Sequence, residues 1–100
     1  MEELIRDGIL NRKVLTVHYK GLVRVVEAYL LFETKDGAIV VHAWQVSGEY
    51  EKTPPPDWCN MGLLDISLVV PTGDIYHRPR DGYNPQGSGF HKVLVFTPAH

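Results

Sequence analysis

Two short glycine-containing breaks constrain this chain more than anything else in it. Between Val14 and Val46 three apolar, β-branched-rich runs are separated by Lys20-Gly21 and by Asp36-Gly37. Breaks of that kind between such runs are the strongest hairpin signal a sequence offers. They predict a three-stranded antiparallel meander, with strands from about Val14 to Tyr19, from Leu22 to Phe32 and up to Val46. If Lys20-Gly21 is a two-residue turn, Tyr19 faces Leu22, Val17 faces Arg24 and Leu15 faces Val26. A second turn centred on Asp36-Gly37 sets Phe32 opposite Val41, Leu30 opposite Ala43 and Ala28 opposite Gln45.

Side chains alternate along a strand, so this register divides the meander into two faces. The first holds Leu15, Val17, Tyr19, Leu22, Val26, Ala28, Leu30, Phe32, Val41 and Ala43, with Arg24 and Gln45 as its only polar members, and reads as the core. The second carries Thr16, His18, Val23, Val25, Glu27, Tyr29, Leu31, Val40, His42, Trp44 and Val46. It is too apolar for open water and too polar for a clean core, so it needs a cover: a helix, a partner subunit or a ligand. A homodimer contact through His18, Tyr29, His42 and Trp44 is one expectation for it. A polar cluster beneath such a contact is preferred over a cation site built from His18, Glu27 and His42.

Around the meander the elements are shorter. Leu4, Ile5 and Ile9 with Glu2 and Glu3 at the start and Arg12 and Lys13 at the end predict a one-sided helix over Glu2 to Arg12. Gly8 weakens it by about 1 kcal/mol relative to alanine, and Asn11 could close it. Ser47 to Asp57 contains three consecutive prolines, which cannot enter a ladder and favour stiff extended backbone. It is read as a stiffened connector in preference to a lid or a docking site for a proline-reading domain. Leu63 to Val70 alternates as a fourth strand ended by Pro71-Thr72-Gly73, and Phe90 to Phe96 reads as the last strand. The stretch from Asp74 to Gly89 is turn-rich. The expectation is one domain over residues 1–100: mainly β with one N-terminal helix, a partly open barrel of about five strands.

Composition narrows the function classes. Net charge is −2 over 100 residues, so nothing pulls the whole chain toward nucleic acid or an anionic membrane. The charge is uneven, however. Arg12, Lys13, Lys20 and Arg24 fall in a stretch without acids, and Arg78, Arg80 and Lys92 face only Asp81. If these segments meet they make one positive patch. Cys59 is the only cysteine, which excludes an internal disulfide. No apolar run approaches the ~20 residues of a membrane span, and the N-terminus lacks the pattern of a signal peptide. A cytoplasmic domain without cofactor is expected.

Catalytic patterns are thin. There is no Gly-x-Ser-x-Gly elbow and no phosphate loop, and the five histidines have no metal-ligand spacing. Cys59 after Trp58 reads better as a buried small residue than as a nucleophile. The stronger candidates are binding groups. Arg24 at the end of an apolar face beside Gln45 must be paired or must meet an anion. Arg78, Arg80 and Tyr83, near His77, form an arginine and aromatic mix suited to gripping phosphate and stacking on a base, with Trp58 as a second stacking ring. The structural alternative pairs Arg78 and Arg80 with acids and packs Tyr83 as a plug.

The order of these residues resembles the WYL domain family. A helix is followed by Val17-His18-Tyr19-Lys20-Gly21 and Arg24-Val25-Val26-Glu27, then by Ile39 to Gln45, Trp58 and Leu63-Leu64-Asp65-Ile66. Arg78-Pro79-Arg80-Asp81-Gly82-Tyr83-Asn84 is similar to the ending of small stand-alone relatives. Ala28 stands where the family prefers proline, Trp58-Cys59-Asn60 lacks an arginine often found there, and no helix-turn-helix pattern accompanies it. The resemblance implies an SH3- or Sm-like barrel of the kind used in regulatory, ligand-sensing modules of bacterial transcription factors. It implies nucleotide or nucleic-acid binding, with Tyr19, Arg24 and Gln45 as the polar groups and Arg78, Arg80 and Tyr83 as the ending. The expectation is therefore a non-enzymatic sensor for a nucleotide-like ligand or single-stranded nucleic acid. The alternative is a protein-interaction subunit acting through a homodimer or a docking face.

Overall fold

The first turn closes as its two residues require. In the computed structural model, which describes residues 1–100, Lys20 has φ +51° and Gly21 φ +79°. Two consecutive positive φ values make the turn whose twist matches the flanking strands. Strand β1 (Lys13–Tyr19) and strand β2 (Leu22–Glu33) then pair with Tyr19 opposite Leu22, Val17 opposite Arg24 and Leu15 opposite Val26. That is the register expected from the sequence.

The second turn behaves differently, for a reason visible in its backbone. Only Gly37 has a positive φ, at +85°, so Asp36-Gly37 cannot form the same two-residue turn. A longer loop forms instead, held by Thr34 N–H to Ala38 O (2.8 Å) and Ala38 N–H to Thr34 Oγ1 (3.1 Å). Strand β3 (Ile39–Gly48) consequently sets Phe32 opposite Val40 rather than Val41. The ladder slips again between Ala28 and Leu30, and once more between Val25 and Val26. Leu30 thus faces His42, Ala28 faces Ala43, and Val26 faces Gln45.

The bulge at Tyr29 corrects the expected faces, because an extra residue reverses the alternation beyond it. Leu31 joins the core with Leu15, Val17, Val26, Ala28, Val41 and Ala43, as expected for the last six. Leu30 and Phe32, expected in that core, turn to the other side and form a second cluster with Tyr29.

Helix α1 (Glu2–Leu10) covers the first face with Ile5 and Ile9. It is shorter than the expected 2–12: Asn11 N–H closes on Asp7 O at 2.9 Å and Arg12 turns left-handed at φ +53°. Gly8 is a close-approach position, since a Cβ there would lie 2.8 Å from a Leu15 methyl. The apparent weakness is what lets the helix settle on β1.

Two more elements frame the sheet. Strand β4 (Asp57–Gly62), not anticipated as a strand, is followed by a short 3-10 turn over Leu63–Asp65. Strand β5 (Ile66–Ile75) runs past Pro71, which its unpaired outer edge tolerates. The order is β4-β3-β2-β1-β5, and strand β6 (Lys92–Phe96) pairs with the second half of β2 where β1 has ended. Half of the residues lie in strands. The fold is mainly β with one N-terminal helix, and its six-stranded antiparallel sheet, one strand more than expected, remains open between β4 and β5. No helix is long and apolar enough to cross a membrane.

The second face is covered by the chain itself. After β5 the segment from Tyr76 lies across it with Tyr76, Tyr83, Phe90 and Ala99 packed on Tyr29, Leu30 and Phe32. Arg12 fastens this segment: its Nε donates to Thr97 Oγ1 (3.0 Å), one terminal nitrogen to His77 O, and the other to Pro98 O (3.1 Å) and His100 O (2.9 Å).

Gly8→Ala is expected to forgo the gain of about 1 kcal/mol that alanine brings to a free helix. Gly8→Val should destabilise the fold by about 1–3 kcal/mol through overpacking against Leu15. Urea unfolding of both variants checks this, and a stabilised Gly8→Ala would show that the contact relaxes freely.

Candidate functional site

The residues singled out from the sequence fall into two separate places. Tyr19, Arg24 and Gln45 come together at one end of the core face, where the β1–β2 turn and the end of β3 meet. The Arg24 guanidinium lies over the Tyr19 ring at 5.2 Å from its centroid, and one terminal nitrogen donates to Gln45 Oε1 at 3.2 Å. Gln45 is 4% exposed, and its Nε2 donates to Ser47 O (3.1 Å) and Glu49 O (2.9 Å). Arg24 Nε is buried and has no hydrogen-bond partner. A buried donor left unpaired costs about 1–3 kcal/mol, which sets this arginine apart from Arg12, whose guanidinium nitrogens all have acceptors.

Beside it lies a cavity of about 320 Å³ lined by Tyr19, Lys20, Arg24, Cys59 and Asn60 from the body and by Tyr50 to Thr53 from the proline loop. Three cations, Lys20, Arg24 and Lys52, face one acid, Glu51. Lys20 Nζ also sits 5.4 Å from the Tyr19 ring centroid. Burial pushes the Cys59 thiol up to about 11, against the lowering influence of Arg24. At neutral pH it is therefore a neutral thiol in the cavity wall, poorly suited to act as a nucleophile.

Lys20, Lys52, Tyr50, Thr53, Cys59 and Asn60 were not picked out as binding groups from the sequence. β4 was the missing signal. Its alternation puts Cys59 beside Arg24 while Trp58, its neighbour, points to the other side, packed against Tyr29 and Trp44.

Trp58 therefore belongs to the second place, the aromatic cluster beneath the C-terminal segment. It stacks on His42 at 5.1 Å and 6° between ring planes, and meets Trp44 edge-on at 5.0 Å. Tyr29 is 0% exposed and touches Trp58, Tyr76 and Tyr83. It has no surface left for a partner subunit, so the face expected to bind one is closed in cis at that position. Trp44 and His42 remain partly exposed at the margin, and His18 lies apart on β1, opposite Val23 and Leu68.

The Arg78, Arg80 and Tyr83 group divides. Tyr83 is buried, its hydroxyl 2.8 Å from Thr97 O and 3.1 Å from Tyr29 O, so it plugs the fold and cannot stack on a base. Arg80 pairs with Glu27, its terminal nitrogen 3.0 Å from Glu27 Oε2, and lies over Trp44 at 5.9 Å. Glu27 is 5% exposed and also accepts the Tyr29 hydroxyl at 2.5 Å. That acid thus faces Arg80 rather than His18 or His42. Arg78 is exposed, at the rim of a separate cavity of about 470 Å³ that shares no lining residue with the Arg24 cavity.

No family of known proteins, no curated protein and no solved structure matches the chain.

Burial holds the His42 imidazole below its ordinary value of 6.5, against the hydrogen bond from Nδ1 to Asn60 Oδ1 at 2.8 Å. The fold favours neutral His42, while the unfolded chain takes up a proton at about 6.5. Stability should therefore fall as pH drops through 6.5 and level off below the folded-state value. His42→Gln should flatten that decline in pH-dependent urea unfolding, and NMR should place the His42 midpoint under 6.5. A midpoint at or above 6.5 would contradict the assignment.

Proposed function

We propose that this chain is a non-enzymatic sensor or regulatory module that binds a small nucleotide-like anion in the cavity formed by Tyr19, Lys20, Arg24, Lys52 and Cys59. The observation that carries the reading is the Arg24 guanidinium, which lines the cavity with Lys20 and Lys52, has Gln45 as its one oxygen acceptor and keeps a buried Nε without a partner. An arginine offers a planar fork matched to phosphate or carboxylate oxygens. Lys20 and Lys52 add charge on the rim of the same cavity. Its volume lies at the lower end of small-ligand pockets, which start at about 300 Å³. The wall supplies a Tyr19 ring for stacking and Asn60 and Thr53 for polar contacts. The resemblance to WYL domains supports the same end of the molecule, since it draws on Tyr19, Arg24 and Gln45.

A single-stranded nucleic acid is the less favoured ligand. Tyr83 is packed inside, and Arg80 shares its charge with Glu27, so the second group keeps only Arg78 as a free phosphate contact. Protein docking is the alternative reading, and a specific place favours it. On the unpaired edge strand β5, Leu68 and Val70 are each 45% exposed, opposite His18 and Thr16 on the outer face.

Calorimetric titration of mononucleotides and short oligonucleotides at two salt concentrations separates these readings. A mononucleotide is expected to bind, more weakly as salt rises, with affinity cut at least about tenfold by Arg24→Ala. Arg78→Ala should leave it unchanged. Because Arg24→Ala removes an unpaired buried donor, the variant should fold, which circular dichroism checks. Absence of binding at millimolar nucleotide, or binding indifferent to Arg24→Ala, defeats the proposal.

A further inference from the structure

The cavity around Arg24 has two walls of different kinds. Tyr19, Lys20, Arg24, Cys59 and Asn60 belong to the sheet and its first turn, whereas Tyr50, Glu51, Lys52 and Thr53 belong to the loop before β4. One side-chain amide touches both the guanidinium and the loop root. Gln45 Oε1 accepts from Arg24, and Gln45 Nε2 donates to Ser47 O near the end of β3 and to Glu49 O, the first residue of the loop. The position of the guanidinium and the position of the loop root are set by the same buried group.

The root is fastened to the backbone that carries Arg24. Glu49 N–H donates to Val23 O at 2.8 Å, and Val23 N–H donates to Glu49 Oε1 at 2.7 Å. Gly48 between them has φ +104°, and a Cβ there would stand 2.5 Å from Val23 O and 3.0 Å from Arg24 Cα. Only glycine fits such an approach.

Beyond the root the loop changes character. Residues Tyr50 to Thr53 are exposed, and no hydrogen bond ties Tyr50 to Pro56 to the body. Pro54, Pro55 and Pro56 restrict its backbone, so the segment has little freedom to lose when it is ordered. A fastened root, a stiff arm and few contacts beyond the root describe a flap.

We propose that residues 50–56 form a ligand-responsive flap over the Arg24 site, with Lys52 closing on the bound anion and Gln45 as the positioning residue that couples the guanidinium to the flap. The proposal rests on the anion-binding reading above and adds to it a ligand class. A phosphoryl dianion would meet Arg24 and Lys20 on the fixed wall and Lys52 on the moving one.

The test is hydrogen exchange of the amides in residues 49–57, read by mass spectrometry with and without inorganic pyrophosphate, together with calorimetric titration of the same ligand. In the unaltered protein, pyrophosphate should slow exchange in this segment several-fold. Lys52→Ala, a change on an exposed side chain, should weaken binding by about tenfold and remove most of that protection. Gln45→Ala should lose the protection while keeping more affinity than Arg24→Ala. A merely structural role for Gln45 would not change the difference that ligand makes to the flap. Should Gln45→Ala fail to fold, Lys52→Ala decides alone. Pyrophosphate that binds through Arg24 without altering exchange at 49–57, or Lys52→Ala indistinguishable from the unaltered protein, overturns the flap and leaves the binding reading intact. No binding of pyrophosphate overturns the ligand class and the flap together, while mononucleotide binding lost on Arg24→Ala would still support the site.

Discussion

Tyr29 is the residue through which the two halves of this fold are joined. It sits at the bulge in β2, fully buried, and both of its oxygens have partners more than fifty positions further along the chain. Its carbonyl accepts from Thr97 N–H at 2.8 Å and lies 3.1 Å from the Tyr83 hydroxyl, and its own hydroxyl donates to Glu27 at 2.5 Å while accepting from Arg80 N–H at 3.0 Å. Its ring meets Trp58, Tyr76 and Tyr83 at centroid distances of 5.9, 5.3 and 5.0 Å. Aromatic pairs of this kind contribute about 0.5–1.5 kcal/mol each beyond their burial. Burial and the hydrogen bond to Glu27 both push the Tyr29 hydroxyl well above its ordinary range, so it stays a donor throughout the physiological pH range. These contacts act with the β2–β6 ladder and the Arg12 hydrogen bonds to hold the segment from Tyr76 to His100 on the sheet.

The same residue explains which parts of the structure could be read from the sequence. Lys20-Gly21 declared its turn because both positions adopt positive φ, and three pairs of β1 and β2 followed from that alone. Asp36-Gly37 looked equivalent, yet only its glycine turns left-handed, and the difference of one residue is invisible to a pattern of apolar runs. The bulge at Tyr29 then reversed Leu30, Leu31 and Phe32. Nothing local marks it. Its cause is tertiary, since it presents Tyr29 and Leu30 together to a segment nearly fifty residues further along the chain.

Candidate site residues were legible to the extent that their neighbours were local. Arg24 and Gln45 stood out as polar groups on an apolar face, and they do touch. Arg80 and Tyr83 looked like ligand groups because their partners, Glu27 and Tyr29, lie more than fifty positions away. The loop's contribution of Lys52 was hidden for the opposite reason: a run of prolines reads as a connector, and only the three-dimensional return of Tyr50 to Thr53 over Arg24 shows what it connects.

Charge provides the last step. The basic stretches around residues 12–24 and 76–92 do approach each other, but not as one positive patch. Arg12 is engaged by Thr97 and three backbone carbonyls, Lys13 by Asp7 at 2.6 Å, and Arg80 by Glu27. Each of these cations holds the chain together. Of the first stretch, Lys20 and Arg24 are left, and both line the cavity beneath the proline loop. A guanidinium needs acceptors as much as an acid needs donors, and the one on Arg24 has Gln45 at a terminal nitrogen and none at Nε. That unpaired donor, on a residue lining the cavity, is the feature on which the proposed anion site rests.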